Sequence, residues 1–193
     1  MAAPKILVIP GSLRSGSFNA RLAALAAKEL TLLDAEVTRI SLEDFPLPLY
    51  DPDDEMRGGP HGNAVRLKQL FTAHQGVFIA SPEYNGSVSP LLKNTIDWVS
   101  QARERGDPPY AAFRHRIFAI ASASTEFAGG QAGLMALRQI LTLGCGALVL
   151  PEQVAVPHAA QAFDEMGNLS SIGLAAALRS ELARMVEITR DMM

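Results

Sequence analysis

The apolar run Ile6 to Ile9 breaks into Gly11-Ser12-Leu13-Arg14-Ser15-Gly16-Ser17-Phe18-Asn19, which leads into Ala20 to Leu33, where Ala and Leu recur at helical spacing. A buried strand, a loop of small polar residues and a helix, in that order, constrain the fold more than any other stretch. An α/β protein makes an anion pocket this way, because loop N–H groups and the positive end of the helix dipole converge on one point. The loop adds the hydroxyls of Ser12, Ser15 and Ser17, the Asn19 amide and the Arg14 guanidinium. That set suits a terminal phosphate, whose oxygens accept several hydrogen bonds and to which Arg adds bidentate charge. Neither G-x-x-x-x-G-K-[ST] nor G-x-G-x-x-G occurs in the chain, so the loop is read as a monophosphate site.

The rest of the chain repeats the alternation. Ala35 to Leu42 reads as a second strand, Gly76 to Ala80 as a third and Ile117 to Ala121 as a fourth. Ala147 to Leu150 with Val154 to Val156 reads as a fifth, interrupted one. Helices are expected over Asn63 to His74, from Pro90 with Ser89 as N-cap to about Gln101, over Gln131 to Leu143 before Gly144-Cys145-Gly146, and over Ile172 to Ile188. Phe45 to Glu55 carries three prolines and an acidic cluster, and is expected to be an extended surface loop whose Phe45, Leu47 and Leu49 pack onto the sheet. Phe163 to Leu169 has turn chemistry. No repeat or linker divides residues 1–193, so one domain is expected. Strands alternating with helices imply a parallel sheet covered on both faces, and for five strands the flavodoxin-like order 2-1-3-4-5. The specialised loops follow strands 1, 3 and 4, whose carboxyl ends would form one site near the switch point.

The loop after strand 3, Ser81-Pro82-Glu83-Tyr84-Asn85-Gly86-Ser87, supplies something other than phosphate chemistry. Tyr84 is a flat amphipathic surface, Asn85 a paired donor and acceptor, and Pro82 and Gly86 can lie against a planar ring. A planar heterocycle carrying a monophosphate describes FMN, although composition alone does not separate FMN from another nucleotide. Net charge is −3 and the isoelectric point near 5.8, which gives no global attraction to nucleic acid or an anionic membrane. No apolar run reaches the ~18 residues of a membrane span. With no apolar signal region before the first strand and a single cysteine, Cys145, a cytoplasmic protein is expected.

Gly11 to Asn19, Ser81 to Ser87 and Leu92-Lys93-Asn94-Thr95-Ile96-Asp97-Trp98 together resemble the NAD(P)H-dependent FMN reductase family, which includes bacterial chromate and quinone reductases and azoreductase-like enzymes. Leu47 to Asp51 and Phe163 to Leu169 extend the resemblance over nearly the whole chain. It implies that Ser12, Arg14, Ser17, Phe18 and Asn19 bind the FMN phosphate and ribityl end. It implies further that Pro82, Glu83, Tyr84, Asn85 and Gly86 border the isoalloxazine, and that Ser124, from the loop Ser122 to Gly130, contacts it. Glu126 stands where family members commonly have Gly, and Ala132 where an Arg commonly follows the Gly-Gly pair. The implied activity passes electrons from NADPH or NADH through FMN to quinones, azo compounds, chromate-like oxyanions or free flavin, in a homodimer or homotetramer with the helix Leu91 to Val99 as candidate interface. A flavodoxin-type electron carrier and an FMN-based redox sensor are the alternatives.

Several residues have plainer readings. Lys93 and Asp97, at i and i+4, are expected to form a local ion pair. Trp98 is expected in a core or interface, and Cys145 as a packing residue. The histidines at 61, 74, 115 and 158 lack metal-ligand spacing, so no metal is expected. No residue is assignable to a ribose 2′-phosphate, which leaves NADH and NADPH unseparated.

Overall fold

In the computed structural model, which describes residues 2–193, the apolar runs form a parallel sheet: β1 (Lys5–Pro10), β2 (Glu36–Arg39), β3 (Gly76–Ala80) and β6 (Ile117–Ala123), with β7 (Leu148–Val149) and β8 (Val154–Val156) sharing the fifth position. The order is β2-β1-β3-β6-β7, with β8 also against β6, which is the expected 2-1-3-4-5 arrangement. Period-2 alternation sends side chains to two cores. Ile6, Val8, Phe78 and Ala119 meet α1 (Phe18–Leu32) and α6 (Ile172–Asp191), while Leu7, Ile9, Val77, Ile79 and Phe118 face α3 (Gly62–Ala73), α4 (Pro90–Gln101) and α5 (Gln131–Gln139).

The fifth strand is interrupted as expected. Leu148 registers with Ile117 and Val154 with Ala121, and the chain between them leaves the ladder. The Arg138 guanidinium cradles that detour, donating to the carbonyls of Leu150 (2.6 Å), Pro151 and Glu152. Beyond α5, one π turn (Ile140–Gly144) closes with the Cys145 N–H on the Ile140 carbonyl at 3.0 Å. Cys145 is buried and its thiol is pushed up to about 11 by burial, in keeping with a packing role.

Two local expectations change. The stretch Phe45 to Glu55 is not loop throughout, because α2 (Pro52–Gly58) begins inside it. Asp51 caps it by accepting the Asp53 N–H at 2.8 Å, Pro52 sits at the first helical position, and Asp53, Asp54 and Glu55 meet the positive end of the helix dipole. Phe45 and Leu47 pack as expected, whereas Leu49 is 85% exposed. Helix α4 starts at Pro90 under the Ser89 cap, and Lys93 pairs with Asp97 at 2.7 Å. Its apolar residues Leu92, Ile96, Trp98 and Val99 are already buried within the chain, so that face is not left for a partner. Trp98 packs edge-on to Tyr50, with its indole N–H on the Pro48 carbonyl at 2.8 Å.

Candidate functional site

Three loops meet above the carboxyl ends of β1, β3 and β6. In the first, the Gly11 N–H donates to the Ala80 carbonyl at 2.8 Å, and the Gly11 carbonyl accepts the Ser89 hydroxyl at 2.8 Å. A Cβ on Gly11 would come within 3.2 Å of both Pro82 and Leu92, so the first loop lies tightly against the third-strand loop here and a larger residue would have to push those side chains aside. Gly16, at φ +68°, turns the chain into α1, where Ser17 accepts the Ala20 N–H at 3.3 Å and keeps its hydroxyl proton for a ligand. The Ser12 hydroxyl accepts the Arg14 N–H at 3.3 Å. The Arg14 guanidinium lies 5.8 Å from the Phe18 ring centroid and, among the described residues, has no carboxylate partner. An unneutralised guanidinium and two hydroxyls at the head of a fifteen-residue helix supply the donors and positive charge that an anion needs.

The second loop is a small hairpin, β4 (Glu83–Tyr84) against β5 (Ser87–Val88), turned by Asn85 (φ +52°) and Gly86 (φ +73°). Asn-Gly with both residues left-handed is the turn whose twist matches a hairpin. Asn85 and Gly86 are therefore spent on geometry and stand at the hairpin tip. Tyr84 is half exposed on the flank. The Glu83 carboxylate turns away to accept the Gly133 N–H at 2.8 Å, fastening the hairpin to the first turn of α5.

The third loop follows β6. Asn19 joins it to the first loop, its amide donating to the Ala123 carbonyl (2.9 Å) while its Oδ1 accepts the Ala123 N–H (3.0 Å). Asn19 thus has both ends committed to protein, and it positions the wall of the site. Ser124 donates its N–H to Val156 and accepts the Glu126 N–H on its hydroxyl at 3.2 Å. Gly129 and Gly130, at φ +64° and +90°, bring the loop down onto β6 and β8. A Cβ at Gly130 would stand 2.0 Å from the Ser122 hydroxyl. Gly130→Ala is expected to cost about 2 kcal/mol through clash and left-handed strain. A denaturant midpoint equal to the parent's would show that the loop has room that this packing denies.

Every residue implied for the site except Asn85 and Gly86 lines one cleft of about 510 Å³, together with Ala123 and Thr125. Neither is singled out by the sequence, Ala123 for want of a functional side chain and Thr125 because its hydroxyl is one of several in the loop; their position at the carboxyl end of a central strand is the available signal. The donor set divides the cleft by chemistry. Arg14, Ser12 and Ser17 form a polar end, while Pro82, Tyr84 and the backbone of Ala123 to Thr125 form flat walls. A planar heterocycle with a phosphate tail fits that division. Glu126 and Phe127 stand exposed on the third loop beside it.

The family model for NADPH-dependent FMN reductases matches residues 4–161. An NAD(P)H-dependent FMN reductase of Pseudomonas aeruginosa is 36% identical over 167 residues, covering 86% of this chain and 84% of its own length. A quinone reductase of Escherichia coli is 36% identical over 138 residues, covering 71% and 69%. Among solved structures, the flavoenzyme NAD(P)H:(acceptor) oxidoreductase FerB of Paracoccus denitrificans superposes with a TM-score of 0.80 at 23% identity over 98% of both chains. The loops that build the cleft all lie within the matched span, and the chain belongs to the NADPH-dependent FMN reductase family.

Proposed function

We propose that residues 1–193 act as one FMN-binding domain, an oxidoreductase that draws electrons from NAD(P)H and delivers them to quinone-type acceptors. The observation that carries this reading is the two-ended cleft, with an unpaired Arg14 at one end and Tyr84 and Pro82 at the other. Bound FMN would supply the electron-transfer chemistry, accepting two electrons at its ring from a reduced nicotinamide and releasing them to the acceptor. The chain's own residues hold and orient. Arg14, with the Ser12 and Ser17 hydroxyls, takes the phosphate. Pro82, Tyr84 and Ser124 border the ring, and Asn19 and Glu83 hold the two walls at their spacing through Ala123 and Gly133. No side chain at the ring end is assigned a proton-transfer role.

Quinones are favoured over azo dyes and oxyanions because quinone reductases are among the curated relatives at 36% and 32% identity. The same reading makes the enzyme cytoplasmic and homo-oligomeric. Exposed Leu49, Met56, Phe127, Met135 and Leu143 are candidate contact residues for such an assembly, in place of α4. No helix is long and apolar enough to cross a membrane among the described residues.

Arg14→Ala is the direct test. Removing a charge-assisted contact to phosphate, worth about 1.5–3 kcal/mol, is expected to weaken FMN binding about 10- to 100-fold, measured by flavin fluorescence quenching. The flavin-free variant should melt with the parent, because Arg14 is exposed and unpaired. Unaltered FMN affinity would remove the phosphate assignment. Oxidation of NADPH by the wild-type protein with a benzoquinone tests the activity, and tight flavin retention without turnover would favour the sensor or carrier.

A further inference from the structure

The flavin cleft is unevenly charged. Arg14 stands at the phosphate end, whereas among the described residues no Lys, Arg or His lines the ring end, where Glu83 is the charged group of the wall. Thr125 closes that wall, and the next residue, Glu126, stands exposed with its Cα one peptide, about 3.8 Å, further on. The backbone of Glu126 is held from both sides. Its N–H donates to the Ser124 hydroxyl at 3.2 Å, and its carbonyl accepts the N–H groups of Gly129 at 3.1 Å and His158 at 3.4 Å. His158 takes a left-handed φ of +47° where it meets that carbonyl. The loop therefore fixes where Glu126 leaves the chain, beside the ring end. Its carboxylate pairs with no Lys, Arg or His among the described residues.

We propose that Glu126 sorts electron acceptors by charge: its unpaired carboxylate at the ring end admits uncharged and cationic quinones and turns away anionic acceptors, sulfonated quinones and oxyanions alike. The proposal rests on the flavin reading of the cleft, because acceptors are sorted where the ring would lie. Arg14 does not offset the carboxylate. It stands at the other end, and a bound phosphate of about −1.5 to −2 charge outweighs one guanidinium. Glu83, whose carboxylate accepts the Gly133 N–H at 2.8 Å, is committed to the wall and adds to the negative field there. Charges at the rim of a site act on the rate of encounter and on its salt dependence more than on the chemistry that follows. At about 10 Å, with an effective dielectric between those of a protein surface and of water, each unit of charge on the acceptor changes its approach about 2- to 10-fold at low ionic strength.

Nicotinamide donors are themselves anions, so the test isolates delivery to the acceptor. FMN-loaded protein is photoreduced without oxygen or nicotinamide, and its reoxidation by 1,4-naphthoquinone or by the 2-sulfonate of the same quinone is followed in stopped flow by the return of flavin absorbance. Comparing each variant with wild type, one acceptor at a time, removes the difference in potential between the two quinones. Glu126→Gln keeps the shape of the side chain and all three backbone hydrogen bonds. It is expected to speed the sulfonate about 2- to 10-fold at low ionic strength and to leave the neutral quinone within twofold, and Glu126→Lys should speed the sulfonate further. The gain should vanish at about 1 M salt, where the Debye length is about 3 Å. Asp191→Asn removes the same charge from the end of α6, close to where Thr189 lies against Gly76 at the start of β3, and should leave both rates as in wild type. An unaltered sulfonate rate in Glu126→Gln, an equal change for both quinones, or the same gain from Asp191→Asn would overturn the proposal and leave the flavin reading standing. Protein that takes up no FMN would sink the flavin reading and the acceptor filter with it.

Discussion

Asn19→Ala is expected to lower stability by about 3–5 kcal/mol and to loosen FMN binding without removing any atom that touches the phosphate. The reason lies in where β3 stops. β3 pairs with β6 only as far as Ala80 opposite Ala121, and the next residue, Ser81, donates its N–H to the Ala121 carbonyl. Two residues further along β6, Ala123 presents its N–H and C=O to the same side, where the sheet has no further strand. The Asn19 amide fills that place, donating and accepting as a peptide group would. Alanine leaves both backbone groups of a nearly buried residue without partners, at about 1–3 kcal/mol each. It also cuts the only hydrogen bonds, among those of the described residues, that tie the first loop to the third. Chemical denaturation measures the first effect and flavin titration the second. Asn19→Asp keeps the acceptor for the Ala123 N–H but sets a carboxylate oxygen against the Ala123 carbonyl, and should recover little. A variant as stable as the parent would mean that water replaces the amide freely at this position.

That bridge also shows where sequence reasoning stops. The strand order, the three functional loops and the start of α4 at Ser89-Pro90 are local facts, carried by apolar runs, small-residue punctuation and cap chemistry. Asn19 was equally visible, but its partner lies 104 residues away, and no periodicity announces such a contact. The sequence points only to its place beside the cleft, which it does line, and not to the two bonds by which its amide also holds the cleft wall. Glu83 is a parallel case, with a partner 50 residues away at Gly133. Asn85 and Gly86 were assigned by motif to the ring, yet they are what allows Glu83 and Tyr84 to form a hairpin. Asp51-Pro52 is the opposite kind of miss. It repeats the cap-then-proline chemistry of Ser89-Pro90, and was passed over because three prolines in the stretch argued for loop. Local competition between signals hid α2, whereas distance in sequence hid the roles of Asn19 and Glu83.

The pH dependence of stability should trace largely to Glu181, which helical spacing puts on the apolar stripe of α6 with Leu178, Leu182 and Met185. It is fully buried on α6, and its Oε1 accepts the Ile120 N–H at 3.1 Å. Ile120 needs this partner because its N–H points toward the fifth strand position, where the chain has left the ladder between Leu150 and Val154. The other carboxyl oxygen, Oε2, is buried without a hydrogen-bond partner. Burial, with a lesser push from the Glu152 carboxylate, raises the pKa from 4.5 to about 8 against the opposing effects of the Ile120 hydrogen bond and the Arg138 charge. Below pH 4.5 the group is protonated both folded and unfolded, and the stability it permits is fully present. Between 4.5 and 8 the folded protein holds a proton that the unfolded chain has released, so stability falls as pH rises, by up to about 1.4 kcal/mol per unit. The carboxyls of Asp107 and Asp164, which their hydrogen bonds hold below the ordinary range, act in the opposite sense but at more acid pH. Glu181→Gln keeps the acceptor for Ile120 and removes the titration. Its melting temperature should vary less than the parent's between pH 5.5 and 8.5, with the variant the more stable of the two at the alkaline end by several kcal/mol, of order the pKa displacement. A variant that keeps the parent's slope would place the titrating group elsewhere. One destabilised equally at every pH would show that the carboxyl's shape, rather than its proton, is what the break in the fifth strand requires.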